Sequence, residues 1–456
     1  MKGLTKHNIF FIGIGGIGMS ALARWFNANN FEVLGYDKTA TNLTNNLIEE
    51  GISVYLDDSL NRIPKSFRPD NTLVIYTPAI PASQCQLQYF LDNSFEVKKR
   101  AEVLGMISEN MFTVAVAGTH GKTTTSSMIA HILKFSGVDT TAFIGGISTN
   151  YNTNLILGKT VEAIAVIEAD EYDKSFLHLS PDIEVITSVD ADHLDIYGDE
   201  ENMQSSFKQF HQQLKVGGKC IISSKAQDAL QLDDVYTYGD DAKISAINLH
   251  IEAGKYRFDY VNGTRKIEDI QLNLPGEYNA ENAIAAITVA TSLGVTDANI
   301  IAAFESFKGV KRRFEYILEI PELTFIDDYA HHPTEIEAFI GTLKSLYPDK
   351  FIQVIFQPHL YSRTRDFSDA FATSLSLADS VILTAIYPAR EEPIAGITSD
   401  LILSKIKIKD KKLLSEKEIL EQLNNKLPDV LATIGAGSID KLVPKIKDLI
   451  TKTYAL

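Results

Sequence analysis

Cysteine is almost missing from these 456 residues: Cys85 and Cys220 are the whole complement, far apart and without metal-ligand spacing. Two such residues exclude a disulfide framework. No apolar run approaches the roughly 18 residues of a membrane span. The N-terminus passes from Met1 to an apolar strand and a glycine-rich turn, without the cleavage pattern of a secretory signal. A cytoplasmic protein with no membrane partner is expected. Positive charge is in the minority as well, 43 Lys and Arg against 59 Asp and Glu, for a formal net charge of −16. That balance argues against a nucleic-acid partner, since phosphate backbones are gripped by clustered cations. The acidity reads as a solvated surface. It leaves room for a phosphorylated small molecule, which needs only a local cationic or amide-lined pocket. Internal repeats and low-complexity tracts are absent too.

What is there is core material: 45% of residues are hydrophobic and 22% charged, the balance of a soluble globular chain. The length suggests about three domains. Short apolar runs alternate with helical patterns throughout, which points to an α/β protein with mostly parallel sheets. A first unit has strands at 9–12, 31–36 and 73–76. A second has strands at 112–117, 163–167, 184–189 and 219–223, then an antiparallel flap over 236–274 with a turn at Asn262-Gly263, closed by a helix over 279–292. A third has strands at 324–326, 353–356, 381–385 and 431–434. The expected boundaries are 1–107, 108–312 and 313–456.

Two glycine-rich turns carry the chemistry. The first, Gly13-Ile14-Gly15-Gly16-Ile17-Gly18, is a G-x-G-x-x-G between a strand and a helix. Backbone amides at such a helix start face a pyrophosphate, and the glycines let it approach. Asp37, ending the next strand, stands where an acidic ribose partner is expected. The alternative is a merely tight structural turn. The second runs from Gly118 through Thr119, His120, Gly121, Lys122, Thr123 and Thr124 to Thr125. The common phosphate loop G-x-x-x-x-G-K-[ST] has a glycine where Val116 stands here, so this turn is tighter, with its Gly-Lys-Thr end intact. Lys122 can reach β and γ phosphate oxygens and the Thr123 hydroxyl can ligate magnesium, so the loop reads as an ATP site. The next two strands end in acidic clusters, Glu168-Ala169-Asp170-Glu171-Tyr172-Asp173 and Asp190-Ala191-Asp192-His193-Leu194-Asp195. They offer the hard oxygen ligands that Mg2+ needs.

Eight stretches together resemble the Mur ligases of bacterial cell-wall synthesis: FIGIGGIGMS at 11–20, AGTHGKTTT at 117–125, EADEYDKSFLHLSP at 168–181, DADHLDIY at 190–197, NAENAIAA at 279–286, RRFEY at 312–316, DDYAHHPTE at 327–335 and QPHLYSRTRDF at 357–367. The shortened second loop is the form this family uses. The resemblance implies three domains: Rossmann-like at the N-terminus, a P-loop ATPase in the centre, and a dinucleotide-fold-like C-terminal domain for the amino acid. It implies that Lys122 holds the ATP phosphates, that Thr123 and Glu168 hold magnesium, and that His193 serves a second metal site. Asn279 and Asn282 fall on the adenine side, with Arg313 and Asp327 or Asp328 reaching the nucleotide from the third domain. Gly13, Gly15 and Gly18 would hold the diphosphate of UDP-N-acetylmuramate, with Thr77 and Arg100 contacting the same substrate. His331, His359 and Arg363 match the amino-acid site, where a guanidinium fork suits the carboxylate of L-alanine. His332 reads equally as a structural residue. One departure is Leu360, where family members often carry Arg.

The implied activity is ATP-dependent attachment of L-alanine to the lactyl carboxylate of UDP-N-acetylmuramate through an acyl phosphate. Three other readings compete. A recycling ligase would attach a preformed tripeptide to the same sugar nucleotide. An NAD-dependent oxidoreductase would use Gly13 to Gly18 and Asp37 but leave the second loop without a role. A non-catalytic nucleotide-gated binding protein has no need of Glu168, His193 and Arg363 together.

Overall fold

The computed structural model describes residues 6–190, 197–389 and 391–455. They fall into two compact units, one made of Met1–Leu249, Arg257–Gln271 and Ala280–Lys308, the other of His250–Tyr256, Leu272–Asn279 and Gly309–Leu456. No helix among the described residues is long and apolar enough to cross a membrane.

The first sheet holds β1 (Asn8–Ile12), β2 (Glu32–Tyr36), β3 (Ser53–Tyr55), β4 (Thr72–Tyr76) and β5 (Glu96–Lys99), in the order β3-β2-β1-β4-β5. All its pairings are parallel. Every residue of β1 is buried, as expected of a central parallel strand covered on both faces. The order reverses between β1 and β4, and that switch point is where open sheets of this type take their ligands. The turn Gly13 to Gly18 leaves β1 there and feeds the helix Ile17–Ala28.

The second sheet has ten strands: β6 (Thr113–Ala117), β7 (Thr140–Ser148), β8 (Thr153–Ile156), β9 (Ile164–Glu168), β10 (Ile183–Ile186), β11 (Lys219–Ser223), β12 (Val235–Tyr238), β13 (Ile244–Glu252), β14 (Lys255–Asn262) and β15 (Arg265–Leu272). Their order is β15-β14-β13-β12-β11-β10-β6-β9-β7-β8. β6 lies between β10 and β9, parallel to both, and is wholly buried. The β7–β8 pair is antiparallel and was not expected from the sequence. The turn at Asn262-Gly263 does separate β14 from β15, while β12 pairs parallel with β11 and meets β13 in parallel at Tyr238 and Ile244. One apolar core serves both sheets of this unit, from Phe11 and Phe26 to Phe176, Phe207 and Phe210.

The third sheet runs β16-β17-β21-β18-β19-β20, with β16 (Glu315–Ile320), β17 (Leu323–Asp328), β18 (Ile352–Phe356), β19 (Ser380–Leu383), β20 (Lys411–Leu413) and β21 (Val430–Ile434). Only β16 is antiparallel to its neighbour. Separate apolar clusters cover its faces, one including Phe339, Val354 and Phe371, the other Phe325, Ile355 and Ile446.

Candidate functional site

The second loop is built by its backbone. Gly121 caps the helix Lys122–Phe135 with φ +82°, a left-handed conformation that glycine adopts without a Cβ clash. A Cβ there would also meet Asn282 Oδ1 at 2.5 Å. Asn282 Oδ1 in turn accepts from the Thr125 hydroxyl at 3.1 Å, inside the core. Thr187 and Ser188 lock the other side: the Thr187 hydroxyl donates to the carbonyls of Ala117 and His120, and Ser188 Oγ accepts the His120 amide at 2.8 Å. The Thr119 amide donates to the Ser188 carbonyl at 3.1 Å. Sequence reasoning placed both residues inside a strand over 184–189. β10 ends at Ile186, which frees them to face the loop.

The loop's cation is fully engaged. Lys122 Nζ donates to Glu171 at 2.9 Å and to the Gly118 carbonyl at 2.5 Å, and this ion pair is nearly withdrawn from solvent, with side chains 13% and 2% exposed. Burial opposes charge on Lys122, but Glu171, Asp170 and Glu168 around it hold its pKa above the ordinary lysine value. Burial pushes the Glu171 carboxyl upward against the pull of Lys122. Glu168 closes the group. Its two oxygens accept the Thr123 hydroxyl at 2.9 Å and the Gly145 amide at 2.8 Å. Gly145 carried no signal in the sequence, yet a Cβ there would strike the Glu168 carboxylate at 2.3 Å. A hydroxyl, a carboxylate and further acids beside a phosphate loop are a hard-oxygen set, so these residues fit Mg2+. His120 Nε2 lies 3.8 Å from Asp190, and Thr124 is buried on the helix. His193 lies outside the described residues.

The first loop is more open. The Gly15 amide donates to Asp37 Oδ2 at 2.8 Å, and the helix behind it has neither a side-chain cap nor an acid in its first turn. The amides that open this helix therefore suit an anion, while those of Gly13, Ile14, Gly15 and Gly16 already donate to Tyr36, Asp37 and Gly13. Thr77 lies against Gly13, its Cγ2 3.1 Å from where a Cβ would stand, and Arg100 lies against Gly18, its Nη1 at 2.6 Å by the same measure. Arg100 also reaches Asp170 at 3.4 Å, and Lys99 reaches Asp173 at 2.8 Å. The segment Lys99-Arg100, whose arginine lies against the first loop, is thus tied by two ion pairs to the acidic segment that follows β9. Asn154 of β8, which the sequence did not mark, adds a third tie by donating to the Ile17 carbonyl and the Ser20 hydroxyl and accepting from Arg24.

The second unit gathers the remaining candidates. Asp328 accepts the amides of Phe314 and Ala330 at 2.6 and 2.7 Å, and Asp327 accepts the Thr433 hydroxyl and pairs with Arg312. Burial pushes both acids up, Asp327 to about 7 and Asp328 to about 6. Arg313 and Arg312 both stand over the Tyr329 ring, at 5.0 and 5.1 Å. Asn279 is buried and donates to the Pro275 carbonyl at 2.7 Å. The rings of His331 and His359 meet at 5.9 Å, and His359 stacks on Tyr387 at 5.8 Å. Burial lowers His331 to about 4, and the nearby Arg363 charge pushes the same way, so the ring is neutral at pH 7. His332 caps the helix Pro333–Leu346 in a box with Glu335. Leu360 takes φ +71° and ψ 138° before the helix Tyr361–Asp366, a conformation costing about 1–3 kcal/mol for a non-glycine residue. Its amide is held by the Tyr387 carbonyl at 2.9 Å.

Three family models match the chain: "Mur ligase family, catalytic domain" over residues 8–111, "Mur ligase middle domain" over 116–290 and "Mur ligase, glutamate ligase domain" over 312–437. A UDP-N-acetylmuramate–L-alanine ligase of Flavobacterium psychrophilum is 50% identical over 444 residues, covering 97% of each chain. One of Cytophaga hutchinsonii is 46% identical over 455 residues, covering 98% of each. Among solved structures, a UDP-N-acetylmuramate-alanine ligase from Thermotoga maritima superposes with a TM-score of 0.84 at 28% identity, covering 98% of this chain and 99% of that one. A murein peptide ligase from Psychrobacter arcticus gives 0.70 at 25% identity, covering 97% and 98%.

Proposed function

Because the chain belongs to the Mur ligase family, we propose that it joins L-alanine to the lactyl carboxylate of UDP-N-acetylmuramate at the expense of ATP, a step of peptidoglycan precursor synthesis. Near-full-length similarity to ligases of that name supports the substrate pair. The geometry that carries the reading is the link from the first loop to the acidic end of β9 beside Lys122, where Arg100 lies against Gly18 on one side and pairs with Asp170 on the other. A sugar nucleotide on the first loop and ATP on the second would present reacting ends to each other across that link.

In this reading the lactyl carboxylate attacks the γ phosphorus of ATP, giving an acyl phosphate and ADP. The amine of L-alanine then adds to the acyl carbon, loses a proton, and phosphate leaves as the amide forms. Lys122 and the loop amides hold the phosphate oxygens in place, and such fixed donors carry most of the catalysis in phosphoryl transfer. Thr123 and Glu168 would hold Mg2+, and His193 a second metal ion. Bound magnesium neutralises charge that gathers on the phosphate oxygens. Arg363 pairs with the alanine carboxylate beside His359 and a neutral His331, and Asn279, Asn282, Arg313, Asp327 and Asp328 serve the nucleotide. The domain limits 1–107, 108–312 and 313–456 divide these tasks, and the pool of sugar nucleotide and ATP puts the reaction in the cytoplasm.

The test is incubation with ATP, Mg2+, UDP-N-acetylmuramate and either single amino acids or the tripeptide, following phosphate release and product mass. Release should need both the sugar nucleotide and L-alanine, and the product should gain one alanyl residue. Turnover with the tripeptide alone would move the chain to the recycling ligases. Nucleotide binding without any turnover would make it a binding protein.

A further inference from the structure

Inside the second sheet, away from both loops, three side chains of unlike chemistry converge. Glu184 on β10 and Cys220 on β11 are direct register partners, so their side chains leave the sheet on one face. His211, the last residue of the helix Glu200–His211, lies over them. One ligand atom from each of the three fits within a span of 4.8 Å. Glu184 and Cys220 are completely buried, whereas the His211 side chain keeps 21% of its surface. His211 Nδ1 stands 2.8 Å from one Glu184 oxygen. The other oxygen, Oε1, is buried without a hydrogen-bond partner.

A carboxylate at the centre of an apolar core, bonded by His211 and otherwise offered only the weak thiol donor of Cys220, is costly unless something compensates it further. The neighbours here are a thiol and an imidazole, and these are metal ligands. Bond lengths of about 2.0–2.3 Å to zinc put tetrahedral ligand atoms roughly 3–4 Å from one another. The observed spacings bracket that range. Sulfur and nitrogen donors do not suit Mg2+, which demands oxygens, while Cys, His and Glu are all ordinary zinc ligands. One carboxylate and one thiolate also balance the two charges of the ion, which a buried site requires.

We propose that Glu184, His211 and Cys220 form a site for a zinc-class transition-metal ion, with water completing the shell at the exposed edge of His211. The site is separate from the ATP loop. Thr187 follows Glu184 by three positions along the chain, a distance of about 10 Å in extended backbone. Uptake of the ion expels the Cys220 thiol proton to solvent, along with the His211 proton wherever that ring is charged. Its role is structural: it joins β10 and β11 to the end of the helix. Thr187 and Ser188, which brace the second loop, lie on the connection between that strand and that helix.

The experiment uses the full chain stripped of metal, without nucleotide, titrated with Zn2+ by calorimetry and with Co2+ by absorbance. About one Co2+ per chain should produce a thiolate-to-cobalt charge-transfer band together with the intense visible bands of a four-coordinate ion. The band should persist in Cys85→Ser and in Glu168→Gln, and vanish in Cys220→Ser. His211→Gln, at the exposed edge and so least able to disturb folding, should weaken zinc by more than the roughly ten- to hundredfold that changes outside the ligand shell cost. Zinc should raise the melting temperature of the wild type and of Cys85→Ser, but not of His211→Gln. A folded wild type that gives no thiolate band, a band that survives Cys220→Ser, or zinc affinity unchanged in His211→Gln would each overturn the site. If Cys220→Ser fails to fold, the His211→Gln comparison decides alone.

Discussion

The turn after β1 and the turn after β6 stand at the same point of their sheets, each between a wholly buried central strand and a helix. They differ in what fills them. The first contains one half-buried carboxylate, Asp37, bonded to the Gly15 amide. The second contains a buried ion pair, Lys122 with Glu171, and further bonds from Lys122 to the loop's own carbonyls. An amide-lined turn takes an anion by geometry, with little charge to rearrange. A turn already holding a buried cation and its counter-charge must exchange one anion for another, so on the proposed function phosphate would replace Glu171 at Lys122. The same strand-turn-helix pattern thus yields one site governed by shape and one governed by charge.

The sharpest way to break this contrast is Lys122→Ala. Turnover should fall by roughly 10²–10³ or more, while calorimetry shows unchanged affinity for UDP-N-acetylmuramate. The variant should also lose about 3–5 kcal/mol of stability, because the buried Glu171 carboxylate loses the cation that it pairs with. Adding Glu171→Ala should recover stability without recovering turnover. If turnover returns with it, Lys122 serves the fold and not the phosphates.

Glu168→Gln tests the charge-governed loop more gently. Its amide oxygen can still accept the Gly145 N–H, while its NH2 takes the place of the oxygen that now accepts the Thr123 hydroxyl, so one anionic ligand atom is lost. Magnesium demand should rise and turnover drop by roughly ten- to a hundredfold, the range for losing hydrogen bonds to a charged group. An unchanged magnesium titration would shift the metal role to Glu171.

Arg363→Lys is the control that should spare both loops. It keeps the charge and loses the planar fork, so affinity for alanine should fall by about 1.5–3 kcal/mol, roughly ten- to a hundredfold. Steady-state kinetics with each substrate varied in turn would show it. A shift in ATP dependence alone would make Arg363 a nucleotide contact.

The shape-governed loop is probed by Gly15→Val. A Cβ there meets Thr44 Cγ2 at 2.7 Å and Asp37 Oδ2 at 2.8 Å, an overpacking worth about 1–3 kcal/mol. Sugar-nucleotide affinity should weaken first. Were ATP affinity the one to fall, the two loops would have exchanged roles.

An effect outside both substrate sites, read from stability and not from turnover, concerns the helix behind the second loop. His131 is buried on it, bonded to Tyr151 and the Ala303 carbonyl, and burial lowers its pKa to about 4. A histidine held below its unfolded value of about 6.5 contributes stability that is complete above that pH and is lost as pH falls toward 4. Denaturation midpoints should decline across that window, and less steeply in His131→Gln. An imidazole titrating near 6.5 by NMR would remove this acid sensitivity from the helix.

Both glycine turns, Lys122, Thr123 and the acidic end of β9 were legible from the chain alone, because an apolar run, a glycine turn and a helix start are set by neighbours in sequence. So were His331, His359 and Arg363 as a group, though only through their motifs. The bracing residues were not legible. Thr187 and Ser188 looked like strand, and Gly145 and Asn154 carry no pattern of their own. Their roles depend on which strands become neighbours and in what register, and no local propensity encodes that. Cys220 makes the same point most plainly. In the sequence it is one of two thiols without metal-ligand spacing. The parallel pairing of β10 with β11 sets it opposite Glu184, and the end of a helix brings His211 over both. Local chemistry therefore determined where phosphate can be held, because a few consecutive residues suffice to build a loop of amides. Only the tertiary structure decided which acid faces Lys122, which arginine links the first loop to the acidic end of β9 and which three side chains converge at one corner of the second sheet, because each depends on sheet order across many residues.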